Sequence, residues 1–137
     1  MKTALAALLL AAALAPALGG CASTASDGPC ERGIVTTLYL GRSIAGGGVV
    51  DDAALARFLD EVAGPKLPDG FTVLRGEGWW HAPGAPASGH EDSIALQVVR
   101  CETKEAEQAV KDVAAAYAER FRQEAILRTD VRARIWW

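Results

Sequence analysis

The chain has 137 residues, of which 50% are hydrophobic and 23% are charged, and its formal net charge is −3. This length fits a single domain, and the mild acidity argues against a general nucleic-acid-binding protein, which needs concentrated positive charge. His81 and His90 lie in no Cys, His or carboxylate cluster with metal-ligand spacing, so we expect neither a metal site nor another cofactor.

The N-terminal segment has the layout of a bacterial lipoprotein signal peptide. Lys2 supplies a positive start, and residues 3–15 form an apolar core of Ala and Leu. This core is shorter than the roughly 20 residues that span a bilayer. Residues 18–21 (LGGC) then match what a lipoprotein signal peptidase and its acyltransferase recognise. We therefore expect Cys21 to become the lipidated first residue; the alternative is an ordinary signal peptide cut near this position.

The residues after Cys21 predict the membrane in which the protein is anchored and a flexible tether. Ala22 is not acidic, which in enteric-type bacteria favours the outer membrane, facing the periplasm. We divide the chain into a signal peptide over residues 1–20, a lipidated cysteine and flexible tether over 21–32, and one domain over 33–137. Small polar residues dominate the tether, as in flexible linkers.

The first half of the domain predicts a strand and then a helix. Residues 34–40 (IVTTLYL) are rich in β-branched and aromatic residues and predict strand β1. Asp51 is placed to cap helix α1, which we expect to end at Gly64-Pro65. The helix has one apolar stripe at positions i, i+3, i+4 and i+7, formed by Leu55, Phe58, Leu59 and Val62.

The second half predicts a hairpin, a helix and a last strand. Strand β2 opens at residues 71–74 and can continue through Trp79 and Trp80, although two intervening glycines indicate a bulge or a close backbone approach. Residues 94–100 predict β3, and Thr103 is placed to cap helix α2. One face of α2 is apolar and carries Ala106, Val110, Val113, Tyr117 and Phe121. Residues 127–137 predict a half-buried β4, with an apolar face formed by Val131, Ala133, Ile135 and Trp137.

The order β-α-β-β-α-β predicts an α+β, ferredoxin-like sandwich. Its four antiparallel strands have the order 4-1-3-2, and both helices cover one face. In this topology the start of β1 lies beside the end of β3, so a disulfide between Cys30 and Cys101 is geometrically reasonable, and export permits it. The alternative is two free thiols.

Several segments together resemble an exported bacterial family of uncharacterised role, the domain of unknown function family 3574. They are residues 38–43 (LYLGRS), 58–61 (FLDE), 68–74 (PDGFTVL) and the pattern Tyr117-x-x-Arg120-Phe121-x-Gln123-Glu124-x-x-Leu127-Arg128. The resemblance supports an exported α+β domain and transfers no catalytic residues. The chain departs from the pattern in the glycine triplet after Ser43 and in its Trp136-Trp137 end.

The candidate binding residues lie at strand ends. Arg42 and Ser43 follow β1 in a glycine-rich loop that lacks the P-loop ending, so a flexible connection is the simpler interpretation. Glu124 and Arg128 lie where α2 meets β4, where they form either a fixed ion pair or a grip on an anionic ligand. Trp79 and Trp80 point to opposite faces of their strand, so one of them is a candidate for an exposed binding surface.

No nucleophile motif or paired carboxylate identifies an enzyme. We expect a membrane-anchored, non-enzymatic module that binds itself as a homodimer, or an envelope protein, through the open face of the sheet. The alternative is a small periplasmic enzyme or a binder of a small anionic ligand, with a pocket near Arg42, Trp79 and Arg128. The expected occupants of the open face are Val35, Thr37, Tyr39, Gln97, Arg132, Arg134 and Trp136.

Overall fold

The computed structural model describes residues 30–81, 84 and 86–136. The predictions for the signal peptide, Cys21 and Trp137 lie outside the described residues. The elements run in the predicted order, β-α-β-β-α-β. Their bounds are β1 Arg32–Gly41, α1 Asp52–Phe58, β2 Thr72–Trp80, β3 Gly89–Cys101, α2 Lys104–Phe121 and β4 Leu127–Arg134.

The strands form one antiparallel sheet in the order β2-β3-β1-β4. This is the predicted order read from the other edge, so the α+β prediction is confirmed. Even-numbered residues of β1 and β3, such as Leu38 and Leu96, enter the core, where they meet Phe58 of α1 and Tyr117 of α2. Odd-numbered residues of these two strands point to the opposite, open face.

Helix α1 changes its hydrogen-bonding pattern near its end. Asp51 caps it by accepting a hydrogen bond from the Ala54 N–H at 2.7 Å. The helix then widens into a π-helix over Leu59–Ala63 and finishes with an α-helical turn over Gly64–Lys66. The widening precedes Pro65, which has no N–H to donate and whose ring crowds the carbonyl four residues earlier.

Strand β4 is shorter than predicted. It ends at Arg134, and one further bond in the same register follows, from the Ile135 N–H to the carbonyl of Glu31 at 2.9 Å. The Ile135 side chain is buried. The predicted continuation of the strand through residue 136 is therefore wrong.

The apolar face of β4 is turned away from the helices. Val131 was expected to be half-buried but is 62% exposed, because it lies opposite Val35 on the open face. The residues that alternate with it, including Arg132 and Arg134, are on the helix side of the sheet. The expectation that these two arginines occupy the open face is therefore wrong, because the alternating residues of β4 face the opposite sides from those expected.

Cys30 and Cys101 form the predicted disulfide, with their Cα atoms 5.9 Å apart. Gly33 lies opposite Cys101 in the ladder between β1 and β3. The bond therefore links the start of β1 to the end of β3, as the topology implied.

Candidate ligand cavity on the open sheet face

The open face of the sheet is hollowed into a cavity of about 800 Å³. Its floor combines Gly41 of β1, Ser93 and Ala95 of β3, and Gly76 and Gly78 of β2. These residues adjoin one another across the ladder. The cavity exists because three neighbouring strands carry small side chains, or none, at the same level of the sheet.

The two glycines of β2 are not required by the backbone. Neither has a positive φ. A Cβ atom added at Gly76 or Gly78 would meet its nearest neighbour at 3.9 or 3.8 Å, which is ordinary contact. The ladder runs unbroken from Thr72 to Trp80, so the predicted bulge is wrong, and no other backbone approaches closely. Glycine weakens a strand interior by roughly 0.5–1 kcal/mol relative to alanine, and what it creates here is open volume.

Aromatic side chains form one wall of the cavity. The ring of Trp80 lies against the backbone of Gly89, where an added Cβ would come within 2.8 Å of it. The glycine therefore makes room for the indole, and Trp80 remains 54% exposed toward the cavity. Trp79 adjoins the cavity along the strand, but its ring points to the opposite face, where it stacks on His90 with ring centroids 4.4 Å apart.

Glu91 places a carboxylate at the inner edge of the floor. It is half-buried on β3, and its carboxylate lies over Gly41, where a Cβ would come within 2.7 Å of Oε1. The backbone N–H of Ser43 donates to Glu91 Oε2 at 3.0 Å. Within the described part of the chain, no Lys, Arg or His forms an ion pair with this carboxylate.

The opposite wall is the loop between α2 and β4. Gln123 donates from Nε2 to the carbonyl of Ser43 at 2.6 Å, which ties this loop to the loop after β1. Arg122 ends the helix with φ at 50°, a left-handed conformation that is uncommon for a residue other than glycine. Arg122 and Glu124 both line the cavity.

The structure places Arg42 away from this cavity. Its Nε donates to the carbonyl of Val50 at 2.7 Å, and its Nη2 donates to Asp52 at 2.8 Å. Arg75 shares Asp52 at 2.9 Å, and hydrogen bonding from Arg75 lowers the pKa of that carboxyl group. The Arg42 side chain thus joins β1 to the start of α1.

Arg128 belongs to an ion-pair network on the helix side of β4. It donates to Glu107 at 2.6 and 3.0 Å and pairs with Asp130 at 2.8 Å. Buried Arg100 donates to the same Glu107 at 2.7 Å. The hydrogen bonds from Arg128 lower the pKa of Glu107 to about 2. The partner of Arg128 is therefore Glu107 rather than the neighbouring Glu124.

Of the five candidate binding residues, the structure brings Ser43 and Glu124 to the cavity, places Trp79 beside it with the ring on the opposite face, and leaves Arg42 and Arg128 outside it. Sequence reasoning missed Glu91, which looked like part of a loop, because β3 begins at Gly89 instead of residue 94. The available signal was the Gly-x-Gly of residues 76–78 beside a tryptophan pair.

Metal-binding and membrane-spanning features are not found in the described ranges. No group of three or more His, Cys, Asp or Glu residues within them is arranged to hold a metal ion. No helix there is long and apolar enough to cross a bilayer.

The sequence matches the family described as Protein of unknown function (DUF3574) over residues 35–137. The chain belongs to this family. The match includes every helix and strand of the fold except the start of β1, so all residues of the cavity lie within the family domain. No curated protein matches the sequence.

Two solved structures with the same fold are those of a phage SAM lyase. The complex with S-methyl-5'-thioadenosine has a TM-score of 0.57 and 11% identity, and the alignment covers 77% of this chain and 92% of the lyase. The apo structure has a TM-score of 0.55 and 13% identity, with 83% and 98% covered. At these identities the similarity shows the fold alone.

Proposed function

We propose that this protein is an exported, lipid-anchored binding protein that holds a small organic molecule in the open-face cavity. The observation that carries the proposal is the pair Gly76 and Gly78. Both positions have room for a side chain and a backbone that would accept one, yet the sequence leaves them empty and keeps the hollow open. A concave site with aromatic walls and a few polar groups is the usual form of a small-molecule site.

A binding role fits the lining better than a catalytic one. The described residues that line the cavity include no Cys, His or Lys, and no hydrogen bond among them joins the hydroxyl group of Ser43 or Ser93 to a general base. The phage lyase is described in complex with S-methyl-5'-thioadenosine. That nucleoside is a reasonable first compound to test here, because an adenine ring is suited to stack on a tryptophan such as Trp80.

The binding proposal is tested by mapping ligand-induced shifts. Isotope-labelled full-length protein in detergent is titrated with S-methyl-5'-thioadenosine and a library of aromatic fragments, and amide shifts are followed by NMR. We expect the largest shifts at Gly76, Gly78, Trp80 and Ser93. A screen in which no compound perturbs these residues would contradict the proposal.

The cellular address is proposed from the signal peptide and Cys21. Each buried methylene contributes about 0.8 kcal/mol, so two or three acyl chains make a durable anchor. We expect radiolabelled palmitate to enter the wild-type protein and to be absent from Cys21→Ser. Wild-type protein that carries no label, or that fractionates with the cytosol, would contradict this address.

A second candidate function is self-association through the apolar side chains of the open face, some of which also line the cavity. Large apolar side chains are exposed there on all four strands, namely Tyr39, Leu74, Val99, Leu127 and Val131. A shared apolar face is what a symmetric dimer would bury. Light scattering of the full-length protein tests this candidate, because a dimer should dissociate in Val131→Lys, and a wild-type monomer at high concentration rules it out.

A further inference from the structure

We infer that the cavity selects a ligand with a positively charged ammonium group next to an aromatic or apolar part. This inference rests on the proposed function and names the chemical class of the ligand. The sequence alone had offered an anionic ligand as the alternative hypothesis, and the inferred ligand has the opposite charge.

The first step is the position of the Glu91 carboxylate. It is half-buried at the inner edge of the cavity floor, and Gly41 provides the space in which it lies. The Ser43 N–H holds Oε2 at 3.0 Å. Oε1 forms no hydrogen bond or ion pair with any residue in the described part of the chain. A carboxylate fixed in this way is a ready acceptor for a charge-assisted hydrogen bond.

The second step is the charge balance of the lining. Arg75 is the basic residue nearest in the ladder, but it is occupied by Asp52 at 2.9 Å on the helix side. Arg122 reaches toward the glycine loop, where its Nη1 lies 4.0 Å from a Cβ position built on Gly46. Glu124 adds a further carboxylate to the lining, whereas Glu77 points to the helix side of the sheet, as Arg75 does, and lies 3.8 Å from His90. The lining therefore favours a cation over an anion.

The third step is the aromatic surface beside this carboxylate. Trp80 is held over Gly89 with its ring facing the cavity, and Tyr39 is 41% exposed at the apolar end of the floor. Aromatic faces attract cations through their quadrupole and also stack with planar groups. An ionic contact at Glu91 and an apolar contact at Trp80 together define a ligand with one charged end and one flat or apolar end.

The test uses three probes with the same phenyl ring and different charge: phenethylamine, 2-phenylethanol and 3-phenylpropionate. Full-length protein in detergent is titrated with each, and dissociation constants are taken from amide shifts of the cavity residues. We expect the ammonium probe to bind about ten-fold more tightly than the alcohol, because a hydrogen bond to a charged group contributes about 1.5 kcal/mol or more. The propionate should bind most weakly.

The matched variants are Glu91→Gln and Glu105→Gln. Both remove one negative charge, but Glu105 is an exposed residue of α2 outside the cavity. The glutamine at position 91 can still accept the Ser43 hydrogen bond, and thermal denaturation checks that both variants fold. We expect the ammonium preference to fall to within about two-fold in Glu91→Gln and to persist in Glu105→Gln. In the wild-type protein, added salt should shrink the preference, because mobile ions screen a partly exposed charge.

Two failures are distinguishable. If the probes shift the cavity residues but the alcohol or the propionate binds as well as the ammonium, the ligand class is wrong and the binding cavity stands. If none of the three probes shifts a cavity residue at concentrations up to tens of millimolar, the proposed function fails and this inference fails with it.

Discussion

Tyr117 links the helical layer to the floor of the cavity through one hydrogen bond. Its hydroxyl group donates to the carbonyl of Gly41 at 2.9 Å, and burial raises its pKa to about 12. Gly41 is also the residue over which the Glu91 carboxylate lies. The packing below the sheet therefore fixes the backbone that shapes the cavity above it.

Replacing Tyr117 by Phe removes this hydrogen bond and leaves the ring packing in place. We expect the free energy of unfolding to fall by about 1 kcal/mol, the usual net value of a protein hydrogen bond. Chemical denaturation at neutral pH measures it. Because burial holds the folded pKa above the ordinary value of 10.0, the stability that depends on a neutral Tyr117 hydroxyl group is complete below pH 10 and is lost as the pH rises toward 12. A variant with the same alkaline loss as the wild type would contradict this account.

Glu107 accepts hydrogen bonds from both Arg100 and Arg128 between α2 and the sheet. Its depressed pKa, about 2 against an ordinary 4.5, means that the folded state favours the ionised form. The contribution to stability is therefore present above pH 4.5 and is lost as the pH falls toward 2.

The change Glu107→Gln should lower the free energy of unfolding at pH 7 and have a much smaller effect at pH 2. The reason is that the wild-type carboxyl group is itself becoming protonated at the lower value. Urea denaturation at the two pH values measures the difference. Glu105→Gln is the control, because it makes the same charge change at an exposed residue that forms no ion pair with any described residue. A pH-independent difference would show that the ion pairs are not its source.

At the scale of elements, strand β2 trades stability for an open surface. Its Gly76 and Gly78 face the cavity with room for a side chain, whereas Gly70 just before the strand has φ at 95°. Gly76 and Gly78 keep the cavity open, whereas Gly70 is needed because the backbone has a positive φ there.

The contrast predicts opposite signs for two similar substitutions. Gly76→Val should raise the free energy of unfolding by up to about 1 kcal/mol, because valine favours a strand and meets no close neighbour. Gly70→Val should lower it, because a β-branched residue is strained at positive φ. Thermal or urea denaturation of both variants checks the prediction. Destabilisation by Gly76→Val would mean that the strand itself needs the glycine.

Helix α2 and strand β4 show where the sequence was informative and where it was not. The spacing of Val110, Val113 and Tyr117 predicted the buried face of α2, because one helix face meets the core directly. Alternation in β4 was read correctly as a pattern, but Val131 lies on the uncovered face. Apolar alternation alone does not say which side the helices cover, and an apolar open face reverses the assignment.

The cavity could not be derived from local patterns. Gly41, Gly78 and Glu91 come from three strands, and only the register of the ladder makes them neighbours. The ion-pair partner of Arg128 is equally non-local, because Glu107 lies on a helix that crosses the sheet. The charges of Arg128 and Glu107 predicted that each side chain would be paired or exposed, but they did not identify the partner.

At the scale of the whole molecule, one covalent bond closes most of the described chain into a loop. The sulfur atoms of Cys30 and Cys101 join positions 71 residues apart. Closing such a loop lowers the entropy of the unfolded chain. The bond also fastens Cys30, near the end of the proposed tether, to the end of the central strand β3.

The double change Cys30→Ser with Cys101→Ser should lower the free energy of unfolding by about 4 kcal/mol in the chain-entropy model. Urea denaturation of both proteins measures the loss. Wild-type protein treated with reductant should match the double variant, and an unchanged midpoint on reduction would contradict a stabilising role for the bond.

The central claim is that the hollow above Gly78 binds a small molecule. Its most direct test is the dissociation constant of the tightest cavity fragment for the wild type, Gly78→Leu and Thr72→Leu. Gly78→Leu fills the cavity, whereas Thr72→Leu adds a similar side chain to the same strand and face outside it. The account predicts that Gly78→Leu stays folded and weakens binding at least ten-fold, while Thr72→Leu binds as the wild type does. Equal affinity in all three folded proteins would contradict it.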